Sequence, residues 1–260
     1  MLGKLLKHEF KATSRLLLPL YLVLFVLTII NRVSLNLNPK GTLGIISGFL
    51  TFAYIFSIVA IAVITYVIVI YRFYKNLMTD EGYLMFTLPV KPSYLINAKL
   101  LVAIAWNILS FLLIIASLLG VFITDNRYYL LVKNIRMLIS QFQTEFSSSN
   151  ITIVIIEFII CILLSLVNNI LIIYTSITIG QLFNSHKILG SFAAYISIST
   201  LIQIIVSAAF FILSIIFNSF DDISSIPRII LPVSLLFTLA TNILYYIVTN
   251  IILTKKLNLE

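Results

Sequence analysis

The groups able to carry chemistry are few and far apart. Two histidines, His8 and His186, one cysteine, Cys161, and nine acidic residues are all that 260 residues offer for proton transfer, nucleophilic attack or metal ligation. No H-E-x-x-H or other zinc spacing sets ligands on one helix face, so no metal site is expected. No G-x-x-x-x-G-K-[ST] run is present to cradle a phosphate in backbone amides, and ATP hydrolysis by that route would have to reside on a partner chain. One carboxylate stands apart: Glu157 is the only acidic residue within an apolar run, about 9 Å below the start of that run at the rise of a helix. A carboxylate there pairs, binds a cationic group or reaches back to the headgroups. The readings open for it are a contact with substrate or a second subunit, an ion pair with Arg32 or Arg136, and a Glu that snorkels. Asn168 and Asn169, three turns further along, and Gln203 in the next run suit hydrogen bonds between helices, and Asn168 and Asn169 share with Glu157 the alternative of facing substrate or a subunit interface. A lone cysteine makes an intrachain disulfide impossible.

The second concentration of polar residues is the stretch "TDEGYLMFTLPVKPSYLINAK", Thr79 to Lys99, set between two long apolar runs. Its opening predicts a short helix with Thr79 or Asp80 as N-cap, carrying Tyr83, Leu84, Phe86 and Leu88. The prolines of "LPVKP" end it, because proline disfavours helical backbone in the residue before it. A second short piece, "SYLINAK", starts at Ser93 and leads into the next run. Connections between packed helices need only a few residues. A segment of this length with its own apolar residues is therefore expected to fold and to touch something, as a short helix does when it enters a partner's groove.

These groups must be positioned by helices that cross a membrane. The chain is 61% hydrophobic and 10% charged, where a soluble domain carries about 25% charge. Six runs approach or exceed the roughly 20 residues that a spanning helix needs: about 16–33, 43–71, 100–124, 151–179, 190–217 and 229–253. They leave no stretch for a water-soluble domain. The first is followed by "NRVSLNLN" with no small-x-small cleavage pattern, and is read as an uncleaved span. The net charge of +8 reflects basic residues flanking the spans, and no nucleic-acid partner is expected.

Lysine and arginine set the orientation. Lys4, Lys7, Lys11 and Arg15 before the first span, Arg72, Lys75, Lys91 and Lys99 after the second, Lys187 after the fourth, and Lys255 and Lys256 after the sixth share one side, against six cations on the other. By the positive-inside rule both termini and the 72–99 loop face the cytoplasm. Two amphipathic pieces lie outside the spans. Over residues 1–15 an elbow helix is expected, with Leu2, Leu5, Leu6, Phe10, Thr13 and Leu17 on one arc and Lys4, Lys7, Lys11 and Arg15 on the other, the cations turned to anionic membrane lipid. Glu9 sits at the edge of the apolar arc and either reaches water beside its basic neighbours or pairs with another helix or subunit. Over 125–150 an extracellular amphipathic helix is expected, capped by Asp125 or Asn126, with Tyr128, Leu131, Ile135, Leu138, Ile139, Phe142 and Phe146 opposite Lys133, Arg136, Gln141 and Gln143.

The pattern E-G-x-x-x-x-x-L-P-V, met as Glu81, Gly82, Leu88, Pro89 and Val90 with Lys99 at the foot of the next span, resembles the first cytoplasmic loop of ABC-2 type transporter permeases. The likeness extends to the architecture: all-α, polytopic, an N-terminal elbow helix, six transmembrane helices as one transmembrane domain over 1–260, and both termini cytoplasmic. The resemblance implies a homodimer, or a pair with a related permease, in a bacterial cytoplasmic membrane. Two copies of a separate ABC ATPase, carrying ATP and Mg, would engage Asp80, Glu81, Gly82, Tyr83, Phe86, Leu88 and Pro89. It also implies export of an amphiphilic substrate such as a peptide, bacteriocin, drug or lipid-like molecule, and a broken helix between spans five and six, where Pro227 and Pro232 fall. Two other classes stay open. A membrane immunity protein, sensor or scaffold would act by binding alone, and a secondary transporter would call for paired ionisable groups in its spans and inverted repeats.

Overall fold

The computed structural model describes residues 2–37, 41–87, 90–122, 125–145, 151–183, 186–216 and 225–255. Every element among them is an α-helix: α1 (Leu2–Asn36), α2 (Thr42–Met78), α3 (Asp80–Phe86), α4 (Pro92–Phe122), α5 (Asp125–Glu145), α6 (Ile151–Gly180), α7 (Lys187–Ile216) and α8 (Ser225–Lys255). Six of them, all but α3 and α5, are long and apolar enough to cross a membrane. This is a multi-pass membrane protein.

Three boundaries differ from the sequence expectation. The elbow over 1–15 and the span expected from Leu16 form one helix, the 35 residues of α1. No glycine interrupts residues 4–36, and the Thr13 and Ser14 hydroxyls donate back to the carbonyls of Glu9 and Lys11, at 2.9 Å each, instead of capping a new start. Pro19 lies inside α1, where it removes one hydrogen bond to the preceding turn and crowds the carbonyl there, yet the helix continues through it. At about 52 Å, α1 is longer than a bilayer core of about 30 Å is thick. The piece "SYLINAK" likewise belongs to α4, which opens on Pro92, a residue suited to the first helical position because the amide it lacks has no partner there. The break expected at Pro227 and Pro232 is not present: α8 runs unbroken from Ser225, with Pro227 in its first turn and Pro232 inside. Residues 217–224, just before it, lie outside the described residues.

The chain divides into two compact units, Met1–Tyr71 with Asn97–Leu138, and Arg72–Ile96 with Ile139–Glu260. In the first, Leu17, Tyr21 and Leu24 of α1, Tyr54 and Ile61 of α2, and Val102, Trp106 and Val121 of α4 form the core. Hydroxyl pairs fix the register. Tyr21 and Thr65 meet Ser110 at 2.6 and 3.0 Å, while Thr28 and Tyr54 meet Ser117 at 2.7 and 2.8 Å. Tyr21 and Thr28 on α1, like Ser110 and Ser117 on α4, are seven residues apart, two helical turns on one face. The order of the pairs makes α4 parallel to α1 and α2 antiparallel to both.

In the second unit α6 packs on both α7 and α8. Asn168 donates to Thr241 at 2.8 Å, and Thr175 meets Thr249 at 3.0 Å, so α6 and α8 are parallel. Near its end α6 comes so close to α7 that a methyl on Gly180 would fall on the backbone and side chain of Ser191. The ring of Phe73, near the end of α2, stacks on Tyr174 of α6 at 3.7 Å between centroids and 9° between planes. On α5 the predicted helix forms, and Ile135, Leu138 and Ile139 of its apolar arc are exposed.

Candidate functional site

The α2–α3 turn is built to hold α3 against the end of α2. Thr79 takes the N-cap position in extended backbone, but its side chain makes no cap bond. Its hydroxyl instead donates back to the Lys75 carbonyl. Asp80 and Glu81 fill the first turn, where negative charge complements the helix dipole. Glu81 also reaches over the turn to Lys75, 3.2 Å away, with both side chains 48% exposed. Such an exposed pair contributes little energy. The closer constraint is Gly82: it is buried, and a Cβ there would lie 2.6 Å from the Leu77 carbonyl oxygen. Only glycine lets the two backbones approach this far. Beneath the turn Phe73, Leu77 and Met78 are buried, whereas Tyr83 and Leu84 project from α3 at 67% and 69% exposure. Phe86 is half-buried. Leu88 and Pro89 lie outside the described residues.

The first unit contains a buried ion pair. Glu9 Oε1 and Lys99 Nζ are 2.8 Å apart, with the side chains 11% and 5% exposed. Of the two expectations for Glu9, contact with water gives way to pairing with another helix. One turn on, Trp106 Nε1 donates to Thr13 Oγ1 at 2.6 Å, and Thr13 donates to the Glu9 carbonyl. Phe10 stacks on Trp106 with centroids 4.6 Å apart. The cations of this stretch point elsewhere: Lys4, Lys7, Lys11 and Arg15 are all exposed.

The polar groups of the spans separate into bonded and unbonded. Asn168 makes the interhelical bond its residue type suggested, to Thr241. Asn169 is exposed and has a partner of its own. Glu157 is partly exposed and has no ion pair or hydrogen bond with a described residue of its own unit. Gln203 is exposed on α7, in line with the exposed Thr200 and Ser207. Within the α6–α8 contact, Asn242 donates to the Leu164 carbonyl at 3.1 Å, while the Tyr245 hydroxyl, 1% exposed as a residue, has no partner among the described residues.

Sequence reasoning left the partner of Glu9 unnamed and did not anticipate the hydroxyl rungs, although signals for both were present. Glu9 has no cation three or four residues away on its own helix, so a partner had to come from another one. The seven-residue spacing of Tyr21 with Thr28 and of Ser110 with Ser117 marks matching stripes. Compared with family models, with curated proteins and with solved structures, the chain matches none.

Proposed function

We propose that this chain is the membrane-spanning permease subunit of an exporter, driven by a separate ABC ATPase that grips α3 from the cytoplasm. The supporting observation is the construction of α3: seven residues presenting Tyr83 and Leu84 outward, fixed to the end of α2 by the Gly82–Leu77 approach. A helix seated this closely transmits a push to the span behind it, where a flexible linker would absorb it. The motif Glu81-Gly82 through Leu88-Pro89-Val90 supports the same reading, and the excess of basic residues on that side supports a cytoplasmic handle. Export of an amphiphilic molecule by a pair of permeases follows from the resemblance. Exposed Gln203 adds support for the pairing, because an amide turned to hydrocarbon is costly and a second copy would cover it.

The test is reconstitution in proteoliposomes with the ATPase that copurifies with the chain. Tyr83→Ser/Leu84→Ser should lower ATP hydrolysis and export at least ten-fold while the chain still inserts. If a cysteine placed at Tyr83 in a Cys161→Ser background is labelled by a membrane-impermeant reagent added outside intact cells, the handle is on the wrong face and the proposal fails. A chain that acts fully with no ATPase bound would be an immunity protein or sensor instead.

A further inference from the structure

An open groove of about 680 Å³ runs between residues 6–14 of α1 and residues 101–105 of α4, within the ~300–1,000 Å³ typical of small-molecule sites. Its floor is apolar, formed by Phe10 of α1 with Leu101 and Ala105 of α4. One rim carries Lys7, Lys11 and Ser14. Lys7 and Lys11 are one helical turn apart and exposed, and among the described residues neither has an ion-pair partner. Glu9, the carboxylate between them in sequence, is committed to Lys99. The groove therefore keeps two positive charges that its own helix does not neutralise. It also straddles a change of medium: residues 7–14 precede the apolar run of α1, while Leu101 and Ala105 lie just inside that of α4.

We propose that this groove is a discrete binding site for one anionic phospholipid, with the phosphate between Lys7 and Lys11 and an acyl chain along Phe10, Leu101 and Ala105. Charge selects the class. A zwitterionic lipid would bring its own cation to two lysines, and a soluble anion would leave the apolar floor uncovered. Phe10 both lines the groove and stacks on Trp106, so occupancy bears on the residues that join α1 to α4. The inference does not depend on the transport reading.

Trp106 is the sole tryptophan and serves as the reporter. In nanodiscs of phosphatidylcholine with a small fraction of phosphatidylglycerol, acyl-chain bromine on one lipid or the other quenches Trp106 at short range across Phe10, which lines the groove and stacks on the buried indole. Each lysine near the headgroups contributes about five-fold in affinity, so the expected preference for brominated phosphatidylglycerol is about 30-fold. It should be lost in Lys7→Gln/Lys11→Gln and kept within two-fold in Lys4→Gln/Arg15→Gln, whose cations do not line the groove. Where the double variant shifts the Trp106 emission maximum, Lys7→Gln and Lys11→Gln singly should each lose about five-fold. Inorganic phosphate should not reverse the quenching. Equal quenching by both lipids, an unchanged preference in the Lys7/Lys11 variants, an equal loss in the Lys4/Arg15 variant, or reversal by phosphate would each overturn the proposal.

Discussion

Replacing one partner of the Glu9–Lys99 pair should cost more than replacing both. The charged atoms are 2.8 Å apart, and the side chains are 11% and 5% exposed, so water screens them weakly. At an effective dielectric constant near 20 the attraction is roughly 6 kcal/mol. Removing two such ions from water costs several kcal/mol each, so the pair nets little against an apolar pair of similar volume, yet a single replacement takes from the other charge the counter-ion that offsets its burial. Glu9→Leu and Lys99→Met should each destabilise the protein by about 3–5 kcal/mol, and the double variant by about 1 kcal/mol or less. Lys99→Met should be the worse single change. The lysine that loses its carboxylate in Glu9→Leu can extend its stem toward the headgroups, whereas the shorter Glu9 in Lys99→Met cannot reach as far. Equilibrium unfolding in mixed micelles with increasing SDS reads this directly, because Trp106 is the only tryptophan and bonds to Thr13 one turn from Glu9. If each single change costs under about 1 kcal/mol and the two add to within about 0.5 kcal/mol, the pair is not sealed from water and the reasoning fails.

Three further outcomes follow from the same geometry. Gly82→Ala should destabilise by about 1–3 kcal/mol, since its methyl would sit 2.6 Å from the Leu77 carbonyl oxygen; an unchanged thermal midpoint would mean that α3 is not seated as described. Tyr245→Phe should be neutral within about 0.5 kcal/mol or stabilising, because it removes a buried hydroxyl that leaves no partner behind; a loss above about 1 kcal/mol would reveal a partner. Asn168→Leu and Thr241→Val should each cost about 0.6–2 kcal/mol, and the double variant no more than the larger single change, measured by the same SDS titration.

The six spans were legible because a run of apolar residues has one use in a chain this poor in charge. The short helix after α2 was legible for a local reason: Thr79 precedes Asp80-Glu81, and prolines follow. What misled was the assumption that a change in composition is a change in structure. Residues 2–15 are amphipathic and residues 16–33 are not, but backbone geometry answers to glycine, proline and caps, and none of these separates the two. The proline pair near α8 misled in the opposite direction. Pro227 falls in a first turn, where a missing amide costs nothing, and only the register of the helix start tells that position from a break. Of the site residues, Gly82 was recognisable as part of a motif, but its reason, the Leu77 backbone beneath it, is a matter of distance alone.

The means by which the first unit holds together follow from its solvent. Among lipid tails, burial of apolar side chains does little to bring helices together, and packing with interhelical hydrogen bonds must do it. Apolar matching alone would fit α1, α2 and α4 in several rotations, since all three are apolar through their spans. Ser110 and Ser117 remove that freedom. Each serves hydroxyls from both neighbouring helices, so a rotation or slip of any one helix breaks bonds on two sides at once. At about 0.6 kcal/mol per bond the four contacts supply only a few kcal/mol of stability, but that is enough to select one register among otherwise similar ones. In the second unit the polar contacts join α6 to α8, while the apolar window of α7 has no buried residue, against 28% in each of the first three spans. The close approach of Gly180 to Ser191 fixes the first turns of α7 against α6, so the exposed amide of Gln203 further along is held on a face where only a polar partner would offset its cost in hydrocarbon.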